Sequence, residues 1–382
     1  MVLKNCLTSL LLISLFSYGQ NYFPPHQGEW EQKSPQTFNI NQEQLKAAIN
    51  FAQNNEYSGA KDLRIAILKA FEREPYHKIL GPTKKRGGPA GVILKKGYQI
   101  ASWGDLKRVD MTFSVTKSYL STLAGLAFDR NLISPQDFLI DYIWDDTFQG
   151  PHNSQITWEH LLNQSSDWSG TLWGGQDWAD RPPLEGTLDD WKNRTYFTPG
   201  TRFEYNDVRV NLLAYSLLNV WRKPLPQVLK QSIMDPIGAS STWRWYGYSN
   251  SWVTLDGNYM QSVSGGGHSG GGLFINTEDH ARFGLLFLNQ GNWDGKQLLS
   301  ADWIKKATTS SVAQVNYGYM WWLNKKGTDR YWQGVPESVY YAAGFGGNFI
   351  VIFPEHELVL VVRWLEPSKM GEFVKAVLDA LP

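Results

Sequence analysis

Cysteine is nearly absent: the 382-residue chain has one, Cys6. It precedes an apolar stretch near the amino end, so cleavage after that stretch leaves no thiol. Disulfides, a cysteine nucleophile and thiolate metal sites are then excluded. An excess of charge of either sign is also missing, because 36 Lys and Arg balance 36 Asp and Glu. Nothing in that balance draws the chain to nucleic acid or to an acidic membrane surface. The seven histidines are scattered, with no His-x-x-x-His pair, and no Walker-type phosphate loop occurs, so the expectation is no metal and no cofactor. The apolar run Leu7 to Phe16 is too short to span a bilayer stably. Internal repeats and low-complexity tracts are lacking.

Aromatic side chains, by contrast, are plentiful, at 14% of residues with 18 Trp. Such weight marks a globular protein with buried rings or a ring-lined pocket. Residues 1–19 read as a secretory signal: Lys4, the apolar run, then Ser17-Tyr18-Gly19 before a cut near Gln20. An exported protein, periplasmic or secreted, is therefore expected, with 20–382 as its mature part. Pro24-Pro25 sits in an extended lead-in. Asn41-Gln42-Glu43-Gln44 resembles a helix cap with its reciprocal partner, followed by Leu45, Ala48, Ile49 and Ala52 at helical spacing. Gly91 to Leu94 and Tyr98 to Ala101 flank Lys95-Lys96-Gly97 as a hairpin. From about 130 to 250 short helices and long Trp- and Gly-rich loops suggest a mainly helical subdomain. Strands return at Tyr317 to Trp364, and a helix from Lys369 to Leu378 closes the chain. The pattern predicts an α+β fold. One antiparallel sheet is made by both chain ends and flanked by helices, with the helical middle beside it.

One stretch carries nucleophile chemistry. In Phe113-Ser114-Val115-Thr116-Lys117, serine and lysine three residues apart share one face of a helix's first turn. Burial and the positive end of the helix dipole favour a neutral amine, and a neutral amine beside a hydroxyl is a base beside a nucleophile. Ser-x-x-Lys alone is common, and an N-capping serine with a solvated lysine gives the same letters.

Further motifs raise its specificity. Tyr205-Asn206-Asp207 follows about ninety residues on, and a Gly-rich turn occurs at the strand Ala342-Ala343-Gly344. Together with Ser114-x-x-Lys117 these resemble the serine β-lactamase and penicillin-binding-protein superfamily, nearest its class C-like esterases and 6-aminohexanoate-dimer hydrolases, over roughly 85 to 365. The resemblance implies an acyl-enzyme on Ser114, with Lys117 and Tyr205 sharing the proton work. It implies an oxyanion hole from Ser114 and the Gly344-Phe345 turn, with Asp207, His268 and Trp173 at the substrate. The partner expected is a small ester or amide. Two departures matter. Asp207 stands where the family has Asn, and Arg209 is placed to pair with it. The late strand also lacks its usual Lys or His, removing the clamp for a substrate carboxylate. Two rivals are a non-catalytic binder with Trp-lined loops for glycan or peptide, and an α/β-hydrolase. For the latter, Gly267-His268-Ser269-Gly270-Gly271 fits a nucleophile elbow with Ser269 and a later His356. Trp243, Trp245, Trp321 and Trp322 read more readily as core than as pocket wall.

Overall fold

Two strands near the carboxyl end, Asn348–Phe353 and Leu358–Arg363, are apolar at nearly every position, so both of their faces must be covered. Successive side chains point to opposite faces, and the packing divides accordingly. Val351, Phe353, Leu358 and Leu360 join Leu45, Ala48, Phe373 and Val377 of the helices Gln42–Asn54 and Met370–Asp379. Ile350, Ile352, Val359 and Val361 face Phe283 and Phe287 of the helix Thr277–Leu288. In the computed structural model residues 21–382 are described, except 27 and 28. The expected signal segment 1–19 lies outside the described residues. No helix among those described is long and apolar enough to cross a membrane.

The strands that position the site are β1 (Ala90–Lys95), β2 (Tyr98–Trp103), β3 (Asp110–Met111), β4 (Arg244–Leu255), β5 (Asn258–Val263), β6 (Gly272–Ile275), β7 (Trp322–Leu323), β8 (Tyr340–Gly344), β9 (Asn348–Phe353) and β10 (Leu358–Arg363). Six of them form one antiparallel sheet in the order β7-β8-β9-β10-β1-β2. Both chain ends thus meet in it, as expected, with Ala90 opposite Arg363 and Lys95 opposite Leu358. The hairpin turn has positive φ at Lys96 (51°) and Gly97 (86°), which suits the twist of a two-residue turn.

A second antiparallel sheet, β3-β6-β4-β5, was not anticipated by the sequence pattern. It interrupts the expected helical middle, because β4 already starts at Arg244. Buried Arg363 ties the two sheets: its Nε donates to Asn348 Oδ1 (2.6 Å), Nη1 to Ile275 O (2.9 Å) and Nη2 to Met111 O (3.0 Å). Asn41 caps its helix by accepting from Glu43 and Gln44 N–H, without the reciprocal bond. All the pairings of both sheets are antiparallel, which removes the parallel alternation an α/β-hydrolase requires. Ser269 therefore lies in no strand–turn–helix elbow: β6 and Asn276 separate it from the helix at Thr277.

Candidate active site

β3 delivers the chain to a tight 3₁₀ turn, Phe113–Val115, which runs directly into the helix Thr116–Asp129. Phe113, just before Ser114, has φ 50°. A non-glycine residue there stores roughly 1–3 kcal/mol of strain, which surrounding contacts must hold. They do so from several sides. Thr112 N–H donates to Leu273 O at 3.0 Å, and Leu273 N–H donates to Thr116 Oγ1 at 3.2 Å. Thr112 Oγ1 also lies 2.7 Å from Nε2 of His280, whose Nδ1 is 2.9 Å from Tyr119 Oη. Burial pushes His280 well below its ordinary pKa, so it serves as a neutral buried brace.

Lys117 is almost wholly buried, and its Nζ donates to Ser114 Oγ at 2.8 Å and to Asp207 Oδ1 at 2.5 Å. Asp207 opens the helix Asp207–Trp221, after Asn206 has capped it. Here the neutral-amine expectation fails. Burial does lower the pKa of Lys117, but the charge of Asp207, with Tyr205 adding to it, outweighs burial and leaves the net shift upward. Asp207 mirrors this: burial alone would raise it, yet Lys117, Arg181 and His268 together hold its carboxyl far below the usual range. Its other oxygen accepts from Arg181 Nη2 at 2.6 Å. Arg209 does not pair with it. That side chain reaches Glu204 and Asp167, each at 2.9 Å, because residues two apart on a helix face different ways.

The glycine run before β6 explains how the pair is kept together. A Cβ on Gly266 would fall 2.0 Å from Asp207 Oδ1 and 2.4 Å from Lys117 Nζ. Gly266→Ala is expected to pry the pair apart, with a stability loss of about 1–3 kcal/mol and a fall in activity. Chemical denaturation of the variant measures the first, and an unchanged midpoint contradicts the close packing described. The pair also sets a pH window. A depressed carboxylate contributes stability that is present above its unfolded pKa, near 3.9, and is lost as pH falls toward the folded value. A raised lysine contributes stability present below its unfolded value, near 10.4, and lost as pH rises through the folded one. Unfolding midpoints across pH should therefore decline at both extremes, and more shallowly in Asp207→Asn. Identical acid limbs in the two proteins contradict the pairing.

Tyr205 meets this pair through its ring rather than by a hydrogen bond. Lys117 Nζ lies 4.7 Å and the Arg181 guanidinium 5.2 Å from the ring centroid. Trp322 stacks behind it at 5.8 Å. No hydrogen bond joins Tyr205 to Ser114 or Lys117 among the described residues. Gly344, ending β8, comes close to the nucleophile turn: a Cβ there would sit 2.2 Å from Thr112 O and 3.3 Å from Ser114 N. The next residue, Phe345, packs edge-on against Phe113 at 5.1 Å. His268 Nδ1 is 3.5 Å from Asp207 Oδ2. Trp173 stands farther off, on the wall of a cavity of about 250 Å³ that Asp207, Asp180, His268 and Glu74 also line. Trp243, Trp245, Trp321 and Trp322 are core residues.

Two neighbours escaped the sequence reading. Arg181 lies in the Trp-rich loop, where only the adjacent charges Asp180-Arg181 among apolar residues hinted at it. Phe71, in the segment before β1, packs on His268 with the rings tilted by 41° and their centroids 3.9 Å apart, and covers that side of the site. No spacing rule connects residues so distant in the chain.

A mixed α+β fold of β-lactamase and transpeptidase type, with Ser-x-x-Lys at the start of a buried helix, defines a class of serine hydrolases. Comparison with known proteins agrees: residues 109–364, two thirds of the chain, match the Beta-lactamase family model. The chain belongs to the Beta-lactamase family. A protein of Escherichia coli O157:H7 with the provisional name D-alanyl-D-alanine carboxypeptidase is 26% identical, over 88% of this chain and 85% of its own. A solved structure provisionally named a 6-aminohexanoate-dimer hydrolase, from Bacillus anthracis, superposes with TM-score 0.55 and 15% identity. That match covers 94% of this chain and 88% of the other. A family VIII carboxylesterase gives TM-score 0.56 and 16% identity, over 78% and 93%.

Proposed function

We propose that the chain hydrolyses a small ester or amide through an acyl-enzyme on Ser114. The observation that carries this reading is the 2.8 Å bond from Lys117 Nζ to Ser114 Oγ inside a buried, charge-balanced setting. Ser114 Oγ attacks the carbonyl carbon, and its proton leaves to the Lys117–Tyr205 pair. Asp207 keeps Lys117 as an ammonium, so Tyr205, whose ring lies 4.7 Å from Lys117 Nζ, is the group left to relay that proton. The carbonyl oxygen gains negative charge near the N–H groups of Ser114 and Phe345, where strand end and helix start approach. The leaving group departs with a proton, and water then releases the acyl group by the same path in reverse.

The missing cation on β8 argues for a substrate without a carboxylate. Arg181 does not replace it, since its terminal nitrogens are committed to Asp180 and Asp207. The reading is tested by offering short-chain p-nitrophenyl esters, a linear amide dimer and a cephalosporin side by side. Ester or amide turnover should lead, and Tyr205→Phe should lower it about 10²–10⁴-fold. Fast cephalosporin turnover would overturn the substrate class, and full activity in Tyr205→Phe would overturn the proton route. Export by way of residues 1–19 is part of the same proposal, and cell fractionation tests it.

A further inference from the structure

Beyond Asp207 the charged cluster continues into a set of ligating atoms that the hydrolytic reading does not use. His268 Nε2 lies 2.5 Å from Glu74 Oε2 and 3.8 Å from Asp180 Oδ1. His77, three residues after Glu74, meets the His268 ring edge-on at 5.1 Å. One ligating atom each from Glu74, His77 and His268 lie within 4.8 Å of one another. Because His77 and His268 are 191 residues apart, no local spacing could reveal the pair.

The tautomers follow from the partners. His77 Nε2 is 3.2 Å from the carbonyl oxygen of His268. A carbonyl only accepts, so Nε2 carries the proton and Nδ1 keeps a free lone pair. An imidazole anchored through its outer N–H on a backbone carbonyl is how metal-binding histidines are commonly oriented. At His268, Arg181 Nη2 approaches Nδ1 at 3.3 Å as a donor, which leaves the ring's proton on Nε2, shared with Glu74. That proton sits where a cation would. Arg181 balances Asp180 and Asp207, but no lysine or arginine side chain pairs with Glu74 among the described residues.

We propose that Glu74, His77 and His268 form a three-residue binding site for Zn²⁺, with the fourth position left to solvent. Two imidazoles with one carboxylate suit zinc, whereas Mg²⁺ and Ca²⁺ favour all-oxygen sets. Binding displaces the Nε2 proton of His268 to solvent and sets the ion between that nitrogen and the Glu74 carboxylate. All three side chains line the cavity of about 250 Å³, so the ion is open to exchange and to a small ligand. His268 also faces Asp207, which links the ion to the carboxylate that holds Lys117.

The test is a calorimetric Zn²⁺ titration of the full, tag-free chain, with Co²⁺ absorption as the geometric readout. One equivalent should bind with tetrahedral-type Co²⁺ bands, undisturbed by excess Mg²⁺. His77→Asn and Glu74→Gln should each weaken binding about 10- to 100-fold. His77→Cys, which supplies a thiolate instead, should restore it and decides the matter if His77→Asn fails to fold. A folded parent that binds no Zn²⁺, or variants that bind as tightly as the parent, overturns the proposal.

Discussion

Ser114→Ala is expected to remove turnover of an activated ester, a loss of at least about 10³-fold in kcat, and to abolish labelling by a fluorophosphonate. Its unfolding midpoint should stay near that of the parent. The hydroxyl is only one of Lys117's partners, and Asp207 still accepts from the ammonium at 2.5 Å after its removal. Catalysis and stability therefore separate at this position. Labelling that persists in Ser114→Ala and disappears in Ser269→Ala would transfer the nucleophile to the glycine loop. A folded parent that never labels would instead favour a binding protein on the hydrolase scaffold.

Asp207→Ala is expected to give the largest loss of stability of any variant considered. Two cations, Lys117 and Arg181, converge on this carboxylate, and Lys117 is almost entirely buried. Removing one member of a buried pair strands the other, typically at about 3–5 kcal/mol. Asp207→Asn should lose less, because the amide oxygen still accepts from one donor. The comparison matters mechanistically as well. In Asp207→Asn the lysine loses the charge that keeps it protonated, so burial lowers its pKa and the pH–rate profile should change shape along with kcat. Equilibrium denaturation and the pH profile check the two halves separately. A loss under about 1 kcal/mol in Asp207→Ala would mean that water reaches Lys117 and that the pair is not buried as described.

Much of the frame was legible because it depends on short-range pattern. The continuous apolar runs at Asn348 and Leu358, the Lys96-Gly97 turn and the Ser114 helix each announce themselves within a dozen residues. The α+β arrangement and the family resemblance followed from them. What stayed hidden was set by tertiary packing. The charge state of Lys117 was misread because burial and the helix dipole were weighed without the carboxylate that faces it, ninety residues on. Arg209 looked like the partner of Asp207 by proximity in sequence, but the helix turned it away and Arg181 took the place. The second sheet was missed because β3 is two residues long, β6 only four, and β4 follows an irregular loop, leaving little periodicity to read. Of the site residues, Trp173 sits on the far cavity wall, while Gly344 and His268 lie against the nucleophile turn and Asp207 respectively.

The pairing of β1 with β10 has a consequence for how the molecule is made. Partners some 270 residues apart must find one another, so a large loop has to close before the central sheet gains its hydrogen bonds. During synthesis the early hairpin leaves the ribosome with one unpaired edge. It must wait for almost the entire remaining polypeptide to emerge. A chain halted before Leu358 would lack both the strand that covers β1 and the guanidinium that fastens Met111 and Ile275, so the strand leading into the nucleophile turn would lose that tie.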